Sequence, residues 1–143
     1  MRWVSVRKIK AVPSRVFHVV SDPEEFQKAI PGGISVEYLT NIRSGVGTRF
    51  RAKRMSRGKP MPFDQEIVEF VPDQLVRMIN VTHGTTWDST FTVKPDGRET
   101  IVTLEMESKT NNLFAKAMNR LISGMLKKAL DKDTDSVKAY CER

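Results

Sequence analysis

The feature that most constrains this chain is a change of hydrophobic period that comes late and only once. Between residues 34 and 107 the apolar residues fall into successive short runs with strand-like alternation; from residue 112 they recur at steps of three and four. Leu113, Phe114, Ala117, Met118, Leu121, Ile122, Met125, Leu126, Ala129 and Leu130 predict one helix reaching to about residue 140, roughly 42 Å long. Its apolar residues cover more of its circumference than a lone surface helix needs. Such a helix calls for a sheet curved around it, and a sheet wrapped round a helix tends to leave a cavity. The order of parts therefore describes a container before it describes an enzyme.

The remaining elements follow from local chemistry. Residues 3–10 read as a strand carrying Val4, Val6 and Ile9. Pro13 suits the first position of a helix with Val16, Phe17, Val19 and Val20 on its apolar face. Asp22-Pro23-Glu24-Glu25 predicts a second helix opened by a capping box, and Pro31-Gly32-Gly33 ends it. Strands are expected at 34–42, 48–56, 63–71, 75–82, 85–93 and 99–107. The turns between them are Gly45-Val46-Gly47, Arg57-Gly58-Lys59-Pro60, Pro72-Asp73, His83-Gly84 and Lys94-Pro95-Asp96-Gly97. No helix intervenes, so the expected class is α+β with an antiparallel meander, in a single domain over residues 1–143. Asn111 or Asn112 caps the last helix. Gly124 lies inside it at a cost of about 1 kcal/mol relative to Ala; close approach of a strand or ligand and a tolerated defect explain it equally well.

Composition narrows the class. Apolar residues make 39% and charged residues 29%, which fits a soluble globular domain and leaves no bilayer-length apolar run. The first seven residues lack the apolar core of a signal peptide, so a cytoplasmic location is expected. Cys141 is the only cysteine and reads as an incidental thiol on a final helix turn. The net charge is +7, concentrated in Arg43, Arg49, Arg51, Lys53, Arg54, Arg57 and Lys59 with no acidic residue among them. Such a strip attracts anionic lipid, nucleic acid or an acidic protein surface.

Four stretches carry a resemblance. They are Ala11-Val12-Pro13-Ser14-Arg15-Val16-Phe17 with Ser21-Asp22-Pro23-Glu24, then Gly45-Val46-Gly47-Thr48-Arg49-Phe50, then Glu66-Ile67-Val68-Glu69-Phe70-Val71-Pro72, and the run from Lys94 to Thr103. With them the whole chain resembles the START and Bet v 1-like superfamily, in particular its small bacterial polyketide cyclase/dehydrase (SRPBCC) branch. The resemblance implies a helix-grip fold: a bent antiparallel sheet of about seven strands around a long C-terminal helix, two short helices after the first strand, and an internal hydrophobic pocket. It implies a lipid, sterol, quinone, plant hormone or polyketide intermediate as ligand, with cyclisation or hydrolysis in a few members. The matching residues are structural and say nearly nothing about activity. Where the family often has a Trp after the second helix, this chain has Ala29-Ile30, so the core or pocket mouth there is expected to pack differently.

Alternation assigns candidate ligand-binding residues. Phe50, Ala52 and Arg54 form the better inward set of their strand; an inward Arg54 would pair with a carboxylate such as Glu105, bind an anionic ligand group, or snorkel to solvent. Trp87, Ser89 and Phe91 read inward, giving a flat apolar wall with a hydroxyl, although Trp is also common in plain core. Residues 75–82 offer two sets, Leu75, Arg77, Ile79 and Val81 against Val76, Met78, Asn80 and Thr82, and periodicity does not choose between them. Phe63, Gln65, Ile67, Glu69 and Val71 are the more apolar set of theirs, with Gln65 a hydrogen-bonding candidate. On the helix, Phe114, Met118, Leu121, Ile122 and Met125 are the expected pocket formers, with Met adapting to irregular ligands.

The expected function is binding of a hydrophobic or amphipathic small molecule in an internal cavity near the two short helices. One alternative is a polyketide or aromatic cyclase or hydratase, with His83, Glu105 and Arg54 as acid–base candidates. Another is a basic interaction module docking through the Arg43–Lys59 strip. No nucleophile elbow, zinc motif or phosphate loop is present, His18 reads as a solvated or packing residue, and no cofactor or metal is expected.

Overall fold

The computed structural model describes residues 1–143. In chain order the elements are β1 (Arg2–Ile9), α1 (Pro13–Ser21), α2 (Pro23–Ala29), β2 (Gly33–Tyr38), β3 (Arg49–Ser56), β4 (Lys59–Val71), β5 (Leu75–Thr82), β6 (Thr85–Asp96), β7 (Glu99–Lys109), α3 (Leu113–Leu121) and α4 (Ser123–Cys141). The strands form one antiparallel sheet in the order β1-β7-β6-β5-β4-β3-β2. This is the α+β helix-grip architecture.

Local chemistry sets the elements. The Asp22 carboxylate accepts from the N–H groups of Glu24 and Glu25 at 2.9 and 3.1 Å, which starts α2. The reciprocal half of a capping box is missing, because Glu25 instead accepts from Tyr140 Oη and Lys28 Nζ at 2.9 and 3.2 Å. Asn112 caps α3 through Phe114 and Ala115. Arg57-Gly58 and His83-Gly84 both have positive φ at each residue, the pattern of two-residue hairpin turns whose twist suits the flanking strands.

Two side-chain contacts show the curl of the sheet. Ser5 Oγ on β1 donates to Asp131 at 2.7 Å, and the Arg54 guanidinium on β3 donates to both Asp133 oxygens at 2.9 Å. A flat sheet would hold β1 and β3 about 24 Å apart. Both strands reach residues two apart on α4, so the sheet wraps around that helix and α4 lies on its concave side.

β2 stops at Tyr38 rather than residue 42, β4 begins at Lys59 rather than residue 63, and three further details depart from expectation. The C-terminal helix is broken at Ile122, where φ is −92° and ψ is 5°, so α3 and α4 are separate segments. Ser123-Gly124 follows directly, a pair that weakens a helix, and Ser123 Oγ accepts from Trp3 Nε1 at 3.0 Å. A bulge between Ile67 and Glu69 reverses the facing of β4, so Phe70 turns inward against Phe17 and Glu69 turns outward to Arg77. The inward set of β4 is therefore Phe63, Gln65, Ile67 and Phe70, not a run ending in Glu69 and Val71. The third departure is Cys141: it is buried in the core, and burial pushes its thiol up to about 11.

The core fills one end of the concave face. Ile9, Phe50, Val76, Phe91 and Val102 pack there beneath Val16, Val19 and Val20 of α1 and Leu130, Val137 and Cys141 of α4. Ala29 and Ile30, in the place of the family's Trp, are buried. α3 adds no hydrophobic residue to this cluster.

Candidate functional site

The concave face changes character along its strands. On β5, Val76 is buried while Met78 and Asn80 are half-exposed; on β6, Val93 and Phe91 are buried while Ser89 and Trp87 are half-exposed. The same step occurs on β4 between Ile67 and the pair Gln65 and Phe63, and on β7 between Leu104 and Met106. Strand register places these partners side by side: Met78 opposite Ser89, Asn80 opposite Trp87, Ser89 opposite Met106. They form a continuous floor of aromatic, thioether, amide and hydroxyl groups, packed on the core at one end, partly exposed along its middle, and closed again at buried Thr85 and Ser108. The β5 question is thus settled in favour of Val76, Met78, Asn80 and Thr82.

A tryptophan pair anchors the helical side of this groove. Trp87 stacks on Trp3 with ring centroids 6.1 Å apart and planes at 27°. Trp3, buried, donates to Ser123 at the helix break. The floor is thereby tied to the point where α3 departs from α4. Asn80 is internally satisfied, its amide donating to the Asp64 carbonyl and its oxygen accepting from Thr82, both at 2.7 Å.

Arg54 closes the other end. Its guanidinium is gripped by Asp133 and also donates to the Pro31 carbonyl at 3.2 Å, joining β3, α4 and the α2–β2 turn. Asp133, the first cause, holds the Arg54 pKa above its ordinary value against the opposing effect of burial. Glu105 is not its partner. Glu105 lies on the outer face of β7 in an ion pair with Arg2, because residues 103, 105 and 107 alternate away from buried Leu104 and Val102. It is removed from the candidate site.

The other expected residues divide. Trp87, Ser89 and Gln65 lie on the open floor, while Phe50 and Phe91 are sealed in the core. Ile122 is half-buried at the break. Phe114, Met118, Leu121 and Met125 are exposed rather than turned into a closed cavity, with Phe114 at 74% and Leu121 at 79%. Met125 Sδ receives an N–H from Arg57 at 3.5 Å, so the first turn of α4 reaches the β3–β4 hairpin. Trp3, Met106 and Asp133 were not singled out by sequence; Asp133 falls in the helical step between Leu130 and Val137, which is a legible inward position.

The expected internal void, open to solvent near the short helices, is met only by a polar cleft beside α1 and by a second cleft elsewhere. One of about 240 Å³ lies between α1 and neighbouring loops, lined by His18, Asp22, Arg43 and Asp73 among others. Another of about 380 Å³ lies on the outer face around Leu39, Val68, Ile79 and Val81. Neither sits beneath α4. His83 is exposed in the β5–β6 turn. Much of the basic strip is neutralised, Arg49 by Glu66, Arg51 by Asp64 and Arg54 by Asp133, and Arg43 lies over the Tyr38 ring at 5.0 Å. No helix is long and apolar enough to cross a membrane.

A seven-stranded sheet curled around a C-terminal helix, with a half-open concave floor, defines a helix-grip protein of the kind that houses small molecules. The chain belongs to the family described as polyketide cyclase / dehydrase and lipid transport, whose profile matches residues 2–142. Among solved structures it is similar to TTHA0849 from Thermus thermophilus, at 19% identity and TM-score 0.78, covering 99% of this chain and 97% of that one. It is similar to the di-domain ARO/CYC BexL from the BE-7585A biosynthetic pathway, at 14% identity and TM-score 0.76, covering 98% of this chain and 46% of that one. Norcoclaurine synthase from Thalictrum flavum, solved in complex with dopamine and hydroxybenzaldehyde, shares 16% identity at TM-score 0.71 over 97% of this chain and 84% of that one. No curated protein matches at the level of sequence.

Proposed function

We propose that this protein binds a hydrophobic or amphipathic small molecule, of lipid, quinone or polyketide type, on the open concave floor between the helix break and β4–β7. The observation that carries this reading is the step from sealed core to half-exposed Trp87, Met78, Met106 and Phe63 within single strands. Each 100 Å² of apolar ligand surface removed from water contributes about 2.5 kcal/mol, before the cost of immobilising the ligand. Ser89 and Gln65, whose side chains make no hydrogen bond within the protein, supply polar contacts for a headgroup or ring oxygen.

The floor favours carriage over catalysis. Its polar groups are two amides, Gln65 and Asn80, and hydroxyls, none of which titrates near neutral pH. The inward carboxylates Asp131 and Asp133 are engaged by Ser5, Lys127 and Arg54. A cyclase would need a group able to move a proton at the substrate.

The test is organic extraction of the purified protein with mass spectrometry, together with titration by decylubiquinone and oleate read through tryptophan fluorescence. Binding is expected to change the emission of wild type and to lose most of that change in Trp87→Phe. An extract free of lipid or quinone together with flat titrations would overturn the proposal.

A further inference from the structure

The geometry points to α3 and the adjacent β3–β4 turn as a docking face for an anionic lipid bilayer. This inference does not rest on the groove reading, since it uses the outward side of α3 rather than the floor beneath it.

The first observation is an apolar surface without a partner. Leu113, Phe114 and Leu121 are 79%, 74% and 79% exposed, in a helix that adds nothing hydrophobic to the core. At about 100° per residue these three and Ala117 share one arc of roughly 100° pointing away from the sheet.

The second observation is charge. No acidic residue occurs between Glu107 and Asp131, nor between Glu37 and Asp64. The fold brings these two acid-free segments together, as the contact of Arg57 with Met125 shows. Lys116 and Arg120 on α3, Lys128 on α4, and Arg57 and Lys59 on the hairpin that reaches Met125 have no carboxylate within ion-pair distance, whereas Arg49, Arg51 and Arg54 all do. An apolar arc flanked by unpaired, long-stemmed cations is the arrangement of a helix lying in a membrane interface, its apolar side chains among the acyl chains and its cations at the headgroups.

Other occupants fit less well. A second copy of the chain would set two uncompensated cation clusters against each other. A folded acidic protein needs about 800 Å² per partner for a stable contact, and α3 is only about 13 Å long. A bilayer sets no such minimum, and each cation held near an anionic surface multiplies partitioning about fivefold.

The test uses the full chain and vesicles of phosphatidylcholine, with and without about a third of phosphatidylglycerol, in a flotation assay at low and high salt. Wild type is expected to float with the anionic vesicles at low salt, to be released by high salt, and to ignore pure phosphatidylcholine. Leu121→Ser and Phe114→Ser are each expected to weaken binding about tenfold. Neutralising Lys116, Arg120 and Lys128 together to Gln is expected to weaken it about a hundredfold. Circular dichroism and urea midpoints matching wild type establish that these exposed-site variants are folded. Trp87→Phe is expected to leave flotation unchanged, so failure of the groove reading does not carry over. Absence of flotation with anionic vesicles, or flotation indifferent to both sets of variants, would overturn the proposal. A dimer abolished by Leu121→Ser without any vesicle binding would overturn it in favour of a second copy, and binding of an acidic protein without vesicle binding in favour of that partner.

Discussion

Removing Asp133 tests how the closed end of the grip is held. Arg54 and Asp133 are 27% and 17% exposed, and two of the three guanidinium hydrogen bonds go to this one carboxylate. Asp133→Ala leaves a mostly buried cation with only the Pro31 carbonyl. Stranding one partner of a fully buried pair costs about 3–5 kcal/mol. Water reaching the exposed fraction reduces this, and we expect about 2–3 kcal/mol from urea unfolding. For a chain of this length that corresponds to a fall in melting temperature of about 7–10 °C. Arg54→Met should cost a similar amount by stranding Asp133. The double variant Arg54→Met/Asp133→Leu removes both charges, fills the volume with apolar atoms, and should return to within about 1 kcal/mol of wild type. With Asp133→Leu as the matching single variant, the double-mutant cycle then yields a coupling of about 3 kcal/mol or more. Additive single effects, or a single variant within about 0.5 kcal/mol of wild type, would refute the idea that this pair clamps α4 to β3 and the α2–β2 turn.

Three other measurements probe separate features. A Cβ built on Gly124 meets nothing within 4 Å, so Gly124→Ala is expected to stabilise by up to about 1 kcal/mol in urea unfolding, whereas a Cβ on Gly33 would stand 2.0 Å from the Gln27 carbonyl oxygen and Gly33→Ala should disrupt the α2–β2 junction. The Asp88 carboxyl accepts from Arg77 at 2.9 and 2.7 Å, which holds its pKa below the usual carboxylate range; the stability this confers is full above about pH 4 and is lost as pH falls through the lower folded value, so Asp88→Asn should lower stability at neutral pH and flatten the acid limb of a urea-midpoint titration. Cys141, buried with its thiol pushed up to about 11, should resist iodoacetamide at pH 8 in the native protein and react promptly in urea, as followed by intact mass.

The sequence made much of this fold legible because the relevant signals are local. Leu75–Thr82 occurs as expected, Arg57-Gly58 and His83-Gly84 make the anticipated turns, and Asp22 and Asn112 cap the helices predicted from them. The inward placement of Phe50, Ala52, Trp87, Ser89 and Phe91 followed from simple alternation. What alternation cannot carry is an inserted residue: the β4 bulge exchanges Glu69 for Phe70 on the inner face, and nothing in Val68-Glu69-Phe70 announces it. The partner of Arg54 was illegible for a different reason. Asp133 is 79 residues away, and its approach depends on the curl of the whole sheet. The burial of Cys141 is not legible in sequence because its position says nothing of the α1 surface onto which the last helical turn folds.

The exposed apolar side of α3 has a cause that joins these findings. The phase of the C-terminal helices is fixed where they are best anchored, by Leu130, Val137 and Cys141 in the core and by the tethers of Asp131 and Asp133 to β1 and β3. Continued toward the N-terminus, that inward stripe runs through Leu126, Ile122, Asn119 and Ala115. Asn119 is therefore buried while its neighbour Met118 is exposed, although sequence hydrophobicity alone would choose the reverse. The break at Ile122 does not restore the more apolar stripe to the sheet. The chain thus keeps a polar and small residue pair facing its own groove and presents Leu113, Phe114 and Leu121 to the outside. If those residues served only the fold, turning α3 through about half a turn would bury them; the anchoring of α4 prevents it, and the apolar arc remains available to a surface beyond the protein.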